Sequence, residues 1–375
     1  MGDQPQKTGF RATVKIGSVD IPFNEIMDLT VKSELDLPDS FSITLGDTDT
    51  VRKNILPKIK LHDKIDAKIH FVGDEPDFAF VGELVRKAPI SSERGSRGGQ
   101  YVLMGYNAMH ALTRGHGSTT FKNQTDKDIV DKVLQDNSSL KLTADYGKEP
   151  PTIKYEHVYQ YNKNDLQFIL DRAKRSGYYV LVRDDKLLYQ KRDPTPSPYK
   201  LKSAAARQQG DDKNIISLEH FTPTLSTSSQ VTEVHVRTFN PKTRKELIGK
   251  APKAAAGKGA AQLGGDTGKD AIAEKYPESI AVVWRKPFSS QEEGDMLAAA
   301  VLEERLLSYV TAEGSTPGDP RIKPAIVVEI TTGDATFDGK YFICGVKHRY
   351  HMGDGDTFKT DFFAKRDATE KPKQQ

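Results

Sequence analysis

One cysteine, Cys344, is present among 375 residues. That scarcity excludes an internal disulfide, a zinc site built on several thiolates and an iron–sulfur cluster. Long apolar runs are missing too, since no stretch approaches the ~20 residues a membrane-spanning helix needs. The polar start, Met1 to Gln6, is not followed by the apolar core of a secretory leader. Gln6 also stands where a myristoylation motif requires Ser or Thr. An excess of one charge is likewise absent: 55 Lys+Arg face 52 Asp+Glu, for a net charge of +3. The reading is of a soluble chain made in a reducing compartment without a signal peptide.

This length suggests two to four domains with real cores. The small net charge hides one asymmetry. Between Lys242 and Lys258 six basic residues face one acid, Glu246. The stretch Lys250-Ala251-Pro252-Lys253-Ala254-Ala255-Ala256-Gly257-Lys258 holds no aromatic residue for base stacking. A flexible, solvated insert is the expectation here, with contact to a polyanion as the alternative.

Strand signals fill the first ~110 residues. Phe10, Ala12, Val14 and Ile16 alternate with polar residues, and Phe41–Leu45 and Ile65–Phe71 repeat that period of two. Phe78–Val81 and Tyr101–Met104 read as more fully buried strands, and Ser91–Gly99 as a long hairpin tip. Short strands at this spacing suggest a barrel or sandwich. After Asn107 the character changes. Thr125 to Asp128 has the form of a capping box, followed by a helical stripe of Ile129, Val130, Val133 and Leu134. A second helix is expected from Asn164 as cap, through buried Leu166, Ile169, Leu170 and Ala173, to Gly177 as stop. Tyr178–Val182 and Leu187–Gln190 read as a hairpin about a turn at 183–186.

Asp193–Pro198 and Ala204–Gly210 read as connector, and strands resume at Ile215–Leu218 and Val231–Thr238, the latter ending in a turn at Asn240-Pro241. Residues Gly249 to Gly268 carry too little apolar content to order themselves. A helix is expected at about 290–312, with Ser290 and Glu293 as a capping box and Met296, Leu297, Val301, Leu302, Leu306 and Tyr309 as its stripe. Ile326–Ile330, Tyr341–Val346 and Phe358–Phe363 return to strand. No internal repeat is visible at the level of sequence identity.

Fragments that imitate reactive motifs fail on spacing. Gly268-Lys269 lacks the earlier glycine and the following Ser or Thr of a phosphate loop, where Leu263 and Asp270 stand. Gly257-Lys258-Gly259 lacks the third glycine of a dinucleotide fingerprint. Asp354-Gly355-Asp356 could open a calcium loop, but its third ligand position is Phe358, so Gly353 and Gly355 read as a hairpin turn. Cys344 and His348, four apart in a strand, lie ~13 Å apart, too far for a nucleophile–base pair. His348 and His351 would point to opposite faces, and Asp184/Asp185 sit in a turn. The residues therefore suggest no catalytic, cofactor-binding or metal-binding site, and no enzyme.

One segment is specific. Val158-Tyr159-Gln160-Tyr161-Asn162-Lys163-Asn164-Asp165-Leu166-Gln167-Phe168-Ile169-Leu170, with Arg172-Ala173-Lys174-Arg175-Ser176-Gly177-Tyr178-Tyr179, resembles the signature of contractile-tail hub proteins. These form the phage late control protein D family, related to the hub portion of type VI valine–glycine repeat spike proteins. Tyr101–Met109, Thr125–Leu134, Val234–Thr243 and Gly339–His348 match further family segments in the same order, so the resemblance runs from about residue 10 to 366. Phe239-Asn240 replaces the usual Trp-Asp before a proline turn, and the Ala/Gly/Lys insert is longer.

The resemblance implies a mainly β, α+β chain with two tail-tube-like β-barrels. Residues 1–109 would form the first, 110–205 a small α+β domain, and 206–245 with 320–368 a discontinuous second barrel. Residues 246–319 would hold the flexible insert and its helix. It further implies a structural baseplate hub made in the bacterial cytoplasm: a homotrimer joining a hexameric tail tube, or tube-initiator protein, to a separate trimeric spike, among other baseplate proteins. No cofactor, membrane insertion or specific nucleic acid is implied. Other classes of reading are a nucleic-acid-binding protein acting through the Lys-rich insert and a cell-wall hydrolase component.

Overall fold

A computed structural model describes residues 10–71, 78–90, 99–208, 210, 214–240, 244–251, 263–284, 287–352 and 357–370. Seven strands come first: β1 (Phe10–Ile16), β2 (Val19–Ile21), β3 (Ile26–Glu34), β4 (Ser40–Gly46), β5 (Lys64–Phe71), β6 (Phe78–Ile90) and β7 (Gln100–Tyr106). They line up as β2-β1-β5-β6-β7-β4-β3. Alternation drives this arrangement, because Phe41, Ile43 and Leu45 of β4 all face inward and are fully buried. A short π-helical segment, Val51–Ile55, adds Val51 and Ile55 to the same core. Burying such side chains stabilises by about 1.5–3 kcal/mol each.

The middle part runs through β8 (Gly117–Thr125), α1 (Asp126–Asp136), β9 (Thr143–Asp145), β10 (Lys154–Lys163), α2 (Asp165–Ser176), β11 (Tyr179–Arg183) and β12 (Lys186–Gln190). Both helices begin as their sequences demand. Thr125 and Asp128 form a reciprocal capping box on α1. Asn164 Oδ1 accepts from the Gln167 N–H at the start of α2, and Gly177 ends that helix in the left-handed conformation at φ +74°. Leu170, expected in the core, is only partly buried; Phe168 takes that place, stacked on Phe121. The hairpin turn is tighter than expected. Asp184 and Asp185 alone make it, both at positive φ, as a two-residue hairpin turn requires.

The chain then re-enters the large sheet with β13 (Pro196–Ser203), β14 (Ile215–Leu218) and β15 (His220–Leu225). A strand thus begins inside the expected connector. Its prolines stand at the strand's start, and Leu201 is its one fully buried apolar residue, so sequence alternation there is weak. Next come β16 (Glu233–Asn240), β17 (Lys245–Lys250), β18 (Asp266–Thr267), α3 (Gly268–Ala273), β19 (Ile280–Val283) and α4 (Gln291–Leu306). The chain closes with β20 (Val310–Pro317), β21 (Val327–Thr331), β22 (Gly339–His351), β23 (Thr357–Arg366) and β24 (Ala368–Thr369).

Two expectations change here. The Val231–Thr238 strand does not join the second large-sheet unit. It is β16, the centre of a small sheet with β17 and β19 that packs on α4. Gly249 of β17 meets Gly294 of α4 so closely that a Cβ at Gly249 would lie 2.1 Å from the Gly294 backbone. In place of β16, β20 enters the large sheet between β15 and β23. The second change concerns the insert, of which 252–262 lies outside the described residues. Its remainder is ordered by tertiary contact. Leu263 is buried and donates its N–H to the Asp367 carboxylate, β18 pairs with β24, and Thr267/Asp270 cap α3. Short apolar content does not prevent order when another strand supplies the partner.

The helix α4 keeps only half of the expected capping box. Ser290 accepts from the Glu293 N–H, but the Glu293 carboxylate turns to the Ser289 N–H and to Arg175 of α2. The hairpin tips at 91–98 and 353–356, and the turn at 241–243, lie outside the described residues. The strands flanking each of them pair antiparallel.

The expected barrels are not closed by strand pairing among the described residues. Instead, the second row reads β14-β13-β21-β22-β23-β20-β15. Its two end strands, β14 and β15, are separated by Glu219 alone, so the row curls back on itself through one residue of chain. In the first row the ends β2 and β3 are joined by residues 22–25 in the same manner.

Candidate assembly surfaces and the junction cavity

Numbering each row by chain order gives 2-1-5-6-7-4-3 for both. Strand directions agree as well, except for the first strand of each: β1 runs antiparallel to its neighbours and β13 parallel. The likeness extends to single residues. Strands β6 and β22 are each 13 residues long and each is interrupted by a bulge, between Leu84 and Arg86 and between Ile343 and Gly345. One residue before each bulge pair, Glu83 and Phe342 bridge their neighbours on both sides. The row Glu83–Tyr106–Ser40–Lys32 therefore corresponds to Phe342–Lys365–Thr311–Thr224.

One ladder joins the two halves. Strand β3 pairs antiparallel along Gly345–His351 of β22, with Lys32 opposite Lys347 and Val31 opposite His348. Covered in this way, Val346, His348 and Tyr350 are buried. His348 bonds Thr360 Oγ1 through Nδ1, and burial lowers its imidazole to about 3. His351, at the other face, is exposed and pairs with Asp28. Cys344 sits at the bulge, where burial pushes its thiol up to about 11, opposite to what a nucleophile needs.

A cavity of about 370 Å³ lies where the middle part, the two halves and α4 meet; Asp36, Tyr179, Arg192, Glu304, Phe342 and Cys344 are among its lining. Arg192 pairs with Glu303, and burial lowers its guanidinium to about 10. Asp36 is raised by burial, yet accepts from the Val180 N–H while its own N–H donates to Val180 O. These polar groups bind elements of the fold to one another. The middle core repeats the theme: the Asp126 carboxylate accepts from Arg172 Nε at 2.6 Å and from Tyr155 at 3.0 Å. Among the described residues no cluster of three His, Cys, Asp or Glu is placed to hold a metal ion, and no helix is long and apolar enough to cross a membrane.

What the surface does offer is uncovered apolar area and open strand edges. On the outer face of the small sheet, Phe239, Ile280, Val282 and Trp284 are exposed, with the Arg237 guanidinium 5.7 Å from the Trp284 ring. On β10, Tyr159 and Tyr161 are exposed with ring centroids 5.8 Å apart. Ile90 of β6 and Leu225 of β15 are exposed at two edges that carry no further strand among the described residues. The sequence reading missed all of these, because exposure cannot be read from apolar pattern alone.

The same architecture recurs in solved tail proteins. The tail protein from Neisseria meningitidis MC58 superposes with a TM-score of 0.68 at 14% identity, covering 96% of this chain and 97% of that one. The 43 kDa tail protein of prophage MuSo2 from Shewanella oneidensis gives 0.68 at 12% identity, covering 96% and 98%. The E. coli c3393 protein, a component of the type VI secretion system, gives 0.59 at 14% identity, covering 94% and 76%. The fold is that of phage-tail proteins. The chain belongs to the Alg8 N-terminal domain family, whose model matches residues 73–351. No curated protein matches it by sequence.

Proposed function

We propose that this chain is the structural hub of a contractile phage tail or phage-tail-like injection system, akin to the phage late control protein D family. Three copies would place six like-folded halves in a ring that meets a hexameric tube, while the middle parts keep three-fold symmetry for a separate trimeric spike. The observation that carries this reading is the shared strand order of the two halves, down to the matching bulge in β6 and β22. A chain holding two copies of one sheet topology can imitate six-fold symmetry with three molecules, and closed symmetry satisfies its edges without filaments. Tail and type VI components among the similar solved structures support the same reading. Its work is binding, through apolar patches and strand edges, and needs no reaction centre.

Imaging of the particle assembled in the producing bacterium tests this. Density for this chain at the tube–spike junction is expected in three copies about the axis. Six copies there, or absence of the chain from the particle, would end the proposal.

A further inference from the structure

Within one molecule, the outer edge of β3 is satisfied by the second stretch of β22, beyond its bulge. The same two structural positions recur in the other halves, and there neither has a strand partner among the described residues, although Lys87 Nζ donates to Leu56 O and Ile59 O beside the β6 stretch. In β6 the stretch beyond the bulge, residues 86–90, pairs with β7 on one side and with no strand on the other among the described residues. Strand β15, the counterpart of β3, pairs among the described residues with β20 alone. Ser226 N–H donates to Tyr309 O, so the even-numbered residues of β15 bond β20, and Phe221, Pro223 and Leu225 turn their backbone groups outward.

We propose that β15 of one copy docks antiparallel along residues 86–90 of β6 in the next copy, in the register of the internal β3–β22 ladder. This rests on the hub reading above and names the contact by which the ring would close. Because the contact is head-to-tail between two different edges, it closes a ring or runs on as a filament according to its rotation. The residue correspondences place Thr224 opposite Ala88, where Lys32 faces Lys347 within the chain, and Pro223 opposite Pro89, where Val31 faces His348.

In this register Ile90, 49% exposed, faces Thr222, and Leu225, 41% exposed, faces the aliphatic stem of Lys87, with Thr224 against Ala88 and Pro223 against Pro89, so no two like charges meet. The internal ladder instead sets Lys32 against Lys347, a like-charge pair that the proposed contact lacks. The facing prolines carry no N–H, so the ladder is interrupted at its centre and holds fewer bonds than β3–β22. The contact is thereby specific in register and weaker than its internal template.

Directly opposed residues outside a hydrogen-bonded pair lie with Cα atoms about 4.5 Å apart, within disulfide range. The experiment uses the full chain in a Cys344→Ser background, carrying Thr224→Cys with Ala88→Cys, oxidised mildly and compared with each single variant. Its mass in solution is measured in parallel. The internal pair Lys32→Cys with Lys347→Cys is the positive control and must close within every monomer. Covalent dimers and closed trimers from the double variant, absent from the singles, are the expected result. Trimers by mass that do not cross-link at this pair would overturn the register and leave the hub reading intact. A chain that stays monomeric and uncross-linked at all concentrations overturns the proposed contact, while particle imaging judges the hub reading separately.

Discussion

The two halves of the large sheet share strand order and bulge position but differ in what covers them. Beyond the bulge, β22 buries Val346, His348 and Tyr350 beneath β3, whereas the corresponding part of β6 exposes Arg86, Lys87, Pro89 and Ile90. Only five residues, 35–39, link β3 to β4, while 84 residues, 226–309, separate β15 from β20 and build the small sheet and α4. One topology can therefore carry two unlike sequences. Backbone pairing sets the order of strands, while local cover sets which side chains are tolerated.

The strongest test of this comparison removes one large core side chain from each half. Phe41 in β4 and Phe362 in β23 are buried in the separate cores of the first and second halves, and either change to Ala should cost about 3–5 kcal/mol. Because the β3–β22 ladder couples the halves, urea unfolding of both variants should remain one transition. Two separated transitions would show that the halves fold independently.

Acid should divide the halves by sign. His348 in the second half titrates near 3 when folded against about 6.5 when unfolded. The unfolded chain then binds the extra proton, so stability falls as pH drops from about 6.5 toward 3. Asp39, in the β3–β4 link, is raised by burial to about 6. There the folded chain holds the extra proton, so stability is gained as pH falls from about 6 toward 3.8. Urea midpoints between pH 7.5 and 5 should show a shallower acid loss in His348→Gln and a steeper one in Asp39→Asn. Equal slopes in all three proteins would sink this account.

A smaller effect is expected at Gly105 in β7, whose counterpart in β23 is the buried residue Ala364. A Cβ at Gly105 would lie 2.2 Å from Ile65 Cδ1 and 2.6 Å from Glu83 O. Gly105→Ala should lose about 1–3 kcal/mol although the other half already holds alanine there. A neutral result would mean that the two cores are interchangeable at this layer. Least costly to folding is Pro223→Val, which restores at the β15 edge the residue type found in β3. Stability should change by no more than about 0.5 kcal/mol, as for other surface changes. Self-association measured by light scattering should rise, because the edge regains a donor; unchanged association would argue that the proline guards nothing.

The sequence by itself determined the elements whose signals are local. Alternation marked β1, β4 and β5; Thr125/Asp128 and Asn164 with Gly177 marked where α1 and α2 begin and where α2 ends. Such features depend on residues within one or two turns, and a turn or cap residue acts on its own backbone. Tertiary structure alone decided the rest. Strand β13 is held by parallel neighbours, β18 by β24, and Leu263 by Asp367 more than a hundred residues away. The duplication was invisible for the same reason. Strand order is fixed by hydrogen bonds between backbones that are alike in every residue but proline, while paired and unpaired edges call for different residues, so Pro89 can stand at an edge where its missing N–H costs no bond, His348 can occupy the same position under β3, and no likeness is left in sequence.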